Sequence, residues 1–141
     1  MPATRRPSHI PPGFAAVTPY ITVDDPDTLV AFAKAAFAAK EMKNQHVSGS
    51  DGKTIHTAFR IEECIIETGR ASGKWKALPG AIHLYVRKVD AAYARALKAG
   101  GESLHEVRDM DYGERSGTVR DTCSNHWYIA TYGGRRGRRA S

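Results

Sequence analysis

Thr18-Pro-Tyr-Ile-Thr-Val23 falls on Ala81-Ile-His-Leu-Tyr-Val86 when the chain is slid along itself by 63 residues. The same shift, with no gap, lays Asp27 on Asp90 and Ile66-Glu67-Thr68 on Ile129-Ala130-Thr131. Two apolar stretches can agree by accident. A first strand, a helix start and a last strand that share one offset argue instead for two copies of a single supersecondary unit.

Outward from those anchors, each copy reads as βαβββ. Ala16 to Val23 alternates small or polar with apolar residues, the period of a strand with one face on a core. Pro19 has no N–H to give to a ladder, so it marks an edge strand or a strand start. Asp25 then caps a helix and Pro26 takes its first position, where no N–H is needed. Leu29, Val30, Phe32, Ala33, Ala36 and Phe37 form one stripe of that helix, which runs to about Ala39. Strands follow at Glu41 to Val47, Thr54 to Ile61 and Cys64 to Thr68, with turns at Gly49 to Gly52 and Glu62-Glu63. Gly69 to Gly80, rich in Gly, Ser, Lys and Pro, is a connector. The second copy has a strand at Ala81 to Val86 and a helix at Val89 to Ala99 stopped by Gly100-Gly101. Its last strands are Glu102 to Arg108, Gly117 to Asp121 and His126 to Tyr132. The predicted fold class is α+β, a single domain over residues 14–132 with module one at 14–68, a linker at 69–80 and module two at 81–132. Two half-covered sheets would pair into a cup-shaped mixed sheet with the helices outside.

Composition sets the function classes aside or keeps them. The chain has 141 residues, 21 Lys plus Arg and 15 Asp plus Glu, for a net charge of +6. Arg5, Arg6, Arg135, Arg136, Arg138 and Arg139 lie in terminal segments that contain no acid, and without those six the body holds 15 charges of each sign. Residues 1–13 and 133–141 therefore read as disordered basic tails, able at most to attract nucleic acid weakly, while the body has no nucleic-acid character. No apolar run approaches the roughly 20 residues of a spanning helix, so no membrane partner is expected. Arg5 and Arg6 have no apolar stretch behind them, unlike a secretory signal. Cys64 and Cys123 sit in no metal or redox spacing and read as thiols of a reducing cytoplasm. There is no nucleophile elbow, P-loop or GxGxxG turn, which argues against a nucleotide cofactor.

Five segments together carry a family resemblance: VTPYITVDD at 17–25, DGKTIHTAFRI at 51–61, IHLYVRKVDAAYARALKAGG at 82–101, YGERSGTVRD at 112–121 and HWYIAT at 126–131. They resemble the vicinal oxygen chelate superfamily of glyoxalase I, bleomycin-resistance proteins and extradiol dioxygenases, and most closely its PhnB-like branch. The resemblance implies the glyoxalase/bleomycin-resistance/dioxygenase fold, a small-molecule site in the cup and a homodimer, with the modules packed within one chain or exchanged between two. In metal-using members the ligands come from the first and last strands of each module, and by position these fall on Thr18, Glu67, Ala81 and Ala130. Alanine has no donor and a catalytic ion needs about three protein ligands, so the resemblance implies no metal at the usual place. Where relatives show FY in the first helix and DPFGH before the last strand, this chain has Phe32-Ala33 and Asp121-Thr-Cys-Ser-Asn125-His126.

Alternation places Tyr20 and Thr22 on the face of Thr18, His83 and Tyr85 on that of Ala81, and His126, Tyr128 and Tyr132 on that of Ala130. The expected ligand-binding set is Thr18, Tyr20, Glu67, His83, Tyr85, His126 and Tyr128, around a small and partly apolar organic molecule. Glu67 is the candidate catalytic residue, as a general base. Two functions stay open: sequestration without a cofactor, as in drug-resistance relatives, and lyase, isomerase or dioxygenase chemistry on a divalent transition metal held at a displaced site by Glu67, His83 and His126, with His56 from the adjacent strand. Arg60, Arg115 and Arg120 are either anion contacts or ion-paired surface residues. His9, His46 and His105 receive no role.

Overall fold

The computed structural model describes residues 8–133. Elements follow in the order β1 (Tyr20–Val23), α1 (Pro26–Phe37), β2 (Lys40–Glu41), β3 (Val47–Ser48), β4 (Thr54–Ile61), β5 (Cys64–Arg70), β6 (Ala81–Tyr85), α2 (Val89–Lys98), β7 (Glu102–Asp109), β8 (Glu114–Arg120) and β9 (His126–Tyr132). Two separate sheets result, ordered β1-β5-β4-β2 with β3 also on β4, and β6-β9-β8-β7. In each, the first strand runs parallel to the last one of its module and the other pairs are antiparallel. The βαβββ unit thus occurs twice in a mixed α+β fold.

The local chemistry explains the boundaries. Asp25 accepts from the Asp27 amide and Pro26 opens α1, while Ala38 closes it in the left-handed conformation. Ladder pairing in β1 begins at Tyr20, because Pro19 offers a carbonyl to Glu67 and nothing else. The strand expected at Glu41 to Val47 is broken: a 3-10 turn at Lys43–Gln45 separates the two-residue β2 from β3. That stretch has no alternating apolar face to bury, and its polar side chains bond among themselves. Residues 8–13, assigned by composition to the tail, make a turn closed by Phe14 N–H to Pro11 O and lie beside Arg60 and Ile65. Residues 1–7 and the C-terminal tail beyond 133 lie outside the described residues.

One continuous core joins the modules. Ala33 and Ala36 of α1 and Ala92 and Ala96 of α2 are all fully buried, and α1 lies against α2. The Arg95 guanidinium fixes the contact by donating to Ala36 O at 3.0 Å. Trp127 of β9 is fully buried, 4.7 Å from Phe37 and 6.5 Å from Phe32 by ring centroids, so an α1 aromatic pair covers the second sheet. Asp121 ties down the turn before β9. Its carboxylate accepts from Cys123 N–H at 2.7 Å, Asn125 N–H at 2.9 Å, Asn125 Nδ2 at 3.0 Å and Trp127 Nε1 at 2.8 Å, while Asn125 Oδ1 accepts from the Gly80 amide at 2.8 Å. The departure from the DPFGH pattern therefore keeps its first residue as a buried structural anchor.

The repeat is not uniform. Tyr20 pairs with Glu67 in the first module, whereas His83, its counterpart, pairs with Tyr128 and leaves Ala130 beside Tyr85. The last strands are thus two residues out of step with the offset of the first strands. Since side chains repeat every two residues, the shift keeps Glu67 and Ala130 on the same face of their sheets but at different heights.

Candidate functional site

In β1 the burial alternates, with Ile21 and Val23 turned into the core and Tyr20 and Thr22 turned away from it. On that outward face of the first sheet, His56 Nε2 lies 3.0 Å from Glu67 Oε1 and His56 Nδ1 lies 3.0 Å from Gln45 O. A backbone carbonyl only accepts, so Nδ1 is the nitrogen that donates to Gln45 O and Nε2 is the one that faces Glu67. Tyr20 stacks on His56 with ring centroids 5.9 Å apart and planes at 27°. Its hydroxyl lies over Gly69, where any Cβ would collide with it. Tyr20, Thr22, His56, Gly69, Arg70 and Trp75 line a cavity of about 380 Å³.

The outward face of the second sheet carries the matching features. His83 Nε2 is 3.5 Å from Glu114 Oε2, and the His83 and Tyr85 rings are 4.6 Å apart. Register places Ala130, whose methyl is fully buried, between the His83 and Glu114 positions. Each module therefore presents one His–Glu pair flanked by tyrosine. Tyr20, Tyr85 and Tyr128 remain 56%, 57% and 41% exposed.

Two further cavities meet Thr18. One, of about 440 Å³, runs between Val17-Thr18-Pro19, Cys64 to Ile66 and Ile82 to Tyr85, with Trp127 at its floor. The other, of about 390 Å³, lies under Phe14, Ala15 and Ala16 and reaches Gln45 and Glu67. Thr18, His83 and Tyr85 are thus brought to one cavity, Tyr20 to a second, and Glu67 to a third. His126 sits opposite Ala81 at the start of β9 and joins neither His–Glu pair, and Tyr128 flanks His83 in register.

The usual metal positions do not fit an ion. Ala81 and Ala130 have no donor atom, the Thr18 hydroxyl is spent on Ala15 O at 3.1 Å, and Glu67 stands alone among the four. Among the described residues no group of three His, Cys, Asp or Glu side chains suited to a metal occurs, so Glu67, His83 and His126 are not gathered around one point here. Arg115 is held by Asp90 at 2.9 Å and Asp109 at 3.2 Å, which raises its own pKa and lowers that of Asp90, and Arg120 faces Glu102 at 3.4 Å. Both are ion-paired surface residues. Arg60 has its guanidinium against Gly13.

Sequence reasoning missed Glu114, Gln45 and Gly69. Glu114 is legible in principle, because it stands five residues, an odd number, before the core-facing Val119 and so on the opposite, outward face, but a strand read from Gly117 stops short of it. The other two are not, since one acts through its backbone and the other through an absent side chain.

Residues 11–129 match the family model of the Glyoxalase/Bleomycin resistance protein/Dioxygenase superfamily. An uncharacterized protein of Mycobacterium bovis, Mb0911c, is 35% identical over 125 aligned residues, which cover 81% of each chain. Among solved structures, TioX from Micromonospora sp. ML1 superposes with a TM-score of 0.66 at 18% identity, covering 83% of this chain and 95% of that one. A PhnB protein from Bacillus cereus gives 0.66 at 11% identity, covering 83% and 99%. The duplicated βαβββ order, the paired sheets and these matches agree, and the chain belongs to the glyoxalase/bleomycin resistance protein/dioxygenase superfamily.

Proposed function

We propose that this protein binds a small, partly apolar organic molecule against its two outward sheet faces, and that it does so as a cytoplasmic homodimer that sequesters the ligand. Tyr20, His56 and Glu67 supply one wall, and His83, Tyr85 and Tyr128 the other. The observation that carries the reading is the exposure of these tyrosines: rings that ordinarily go inside are held open beside His–Glu pairs that can meet a polar group of the ligand. A second copy of the chain would cover the remaining open face, which a monomer rarely leaves uncovered. The donor chemistry at Thr18, Ala81 and Ala130 favours binding without a resident metal.

Trp75 lines the cavity that holds Tyr20 and His56, and so reports on it. Titration with a panel of flat aromatic and polar-headed compounds should give saturable quenching of Trp75 that disappears in Tyr20→Ala, with sedimentation showing a dimer. No saturable compound in the panel, together with a monomeric protein, would refute the proposal. One equivalent of a transition metal in tag-free protein would overturn the metal-free part.

A further inference from the structure

A chain of side chains that the binding site does not use runs behind it. Thr57 Oγ1 donates to Glu41 Oε2 at 2.6 Å, and the same oxygen is 2.6 Å from His46 Nδ1. On the far side of that ring, His46 Nε2 is 3.1 Å from Thr54 Oγ1, which donates to Asp27 Oδ1 at 2.7 Å. Thr54 and Thr57 are buried on β4, Glu41 ends β2, and Asp27 belongs to the first turn of α1. The ring of His46 is therefore the middle link of a connection from the helix start to the edge strand.

What the link holds is the segment between β2 and β3. This segment has only two-residue strands on either side of a 3-10 turn, so backbone pairing alone attaches it weakly. Gln45 closes that turn, its carbonyl faces His56 Nδ1, and His46 is the next residue. Fixing the His46 ring from both sides fixes the peptide that carries the Gln45 carbonyl.

We propose that His46 is a positioning residue for His56: through the Glu41 and Thr54 contacts it sets the Gln45 carbonyl on His56 Nδ1, and so decides that Nε2 is the nitrogen shared with Glu67. Without that carbonyl, either nitrogen of a neutral imidazole can carry the hydrogen, and rotation of the ring can present either one to Glu67. The site would then offer a ligand a mixture of donor and acceptor patterns instead of one. The mechanism concerns the ligand-free protein, so it stands or falls separately from the ligand reading.

Long-range proton–nitrogen NMR of the histidine rings tests it. In the unaltered protein His56 should show a hydrogen fixed on Nδ1. His46→Ala should move the two His56 nitrogen shifts toward the averaged values of an exchanging ring. Thr54→Val, which keeps the volume and removes the hydroxyl, should do the same, and Thr54→Ser should restore the original pattern. Thr68→Val removes an unrelated buried hydrogen bond, from Thr68 Oγ1 to Ile21 O, and should leave His56 unchanged while lowering the melting temperature. If His56 keeps its pattern in folded His46→Ala and Thr54→Val proteins, the proposal is wrong. If Thr68→Val shifts His56 as much as Thr54→Val does, the effect is general loosening and the proposal is equally wrong.

Discussion

Replacing Gly69 by Ala isolates the Tyr20–His56 arrangement with one methyl group. A Cβ at residue 69 would overlap the Tyr20 hydroxyl and stand 3.0 Å from Tyr20 Cζ, so the ring must leave. Gly69 does not have a positive φ, hence alanine imposes no backbone strain there. Moving Tyr20 into a poorer rotamer costs about 0.5 to 1.5 kcal/mol. Loss of unfolded-state freedom on Gly→Ala returns about 0.4 to 1 kcal/mol. The net change is within about 1 kcal/mol, or roughly 3 to 4 °C in Tm for a chain of this size. The site should change far more than the stability: the His56 ring protons should lose the shift that a stacked tyrosine ring induces, and Trp75 quenching by ligand should weaken. Unchanged His56 ring shifts in a folded Gly69→Ala protein would refute the claim that Tyr20 rests over that glycine. A loss above about 3 kcal/mol would refute the claim that the tyrosine can move aside.

Three further perturbations probe other parts of the molecule. Asp121→Ala strands the indole N–H of Trp127 and the amides of Cys123 and Asn125 in a buried loop, and urea unfolding should show a loss of about 3 to 4 kcal/mol; a loss under about 1 kcal/mol would remove Asp121 from its anchoring role. Burial pushes the Glu41 carboxyl up, but the Thr57 hydroxyl, the His46 ring and Lys34 outweigh it and hold its pKa below the ordinary glutamate value. Its stabilisation is therefore complete above that ordinary value and disappears as pH falls through the lowered one, so Glu41→Gln should flatten the acid limb of a Tm-against-pH curve while leaving the neutral-to-alkaline limb parallel. Burial, then the Asp121 charge, pushes the Cys123 thiol up to about 11, whereas Cys64 is exposed at the β4–β5 turn; iodoacetamide at pH 8 with mass mapping should label Cys64 first, and the reverse order would contradict the burial of Cys123.

Much of the architecture could be read from the chain because the signals were repeated. The stripe of α1, the strand of β6 and the shared spacing of Asp27 and Asp90 each had a partner elsewhere in the sequence. The site was legible only as faces. Alternation placed Tyr20, His83 and Tyr85 correctly on the outward sides, but it could not say which glutamate each histidine meets. His56 finds Glu67 on the neighbouring strand, and His83 finds Glu114 across β9, through registers that no linear pattern contains. Glu41 and His46 were passed over for a related reason: they flank a 3-10 turn that interrupts what looked like one strand, and their importance lies in bonds to residues far away in the chain.

The two-residue offset between the β1–β5 and β6–β9 ladders bears on how such a duplicated protein can diversify. A slip by one residue would turn the core side chains outward, whereas a slip by two leaves every core position filled and changes only which groups stand side by side on the other face. The groups on the outward face can therefore differ between the halves in steps of a pleat, at little risk to folding. In this chain a carboxylate stands beside Tyr20 in one half and a phenol beside His83 in the other, so the two halves present different chemistry on the same face of one repeated unit.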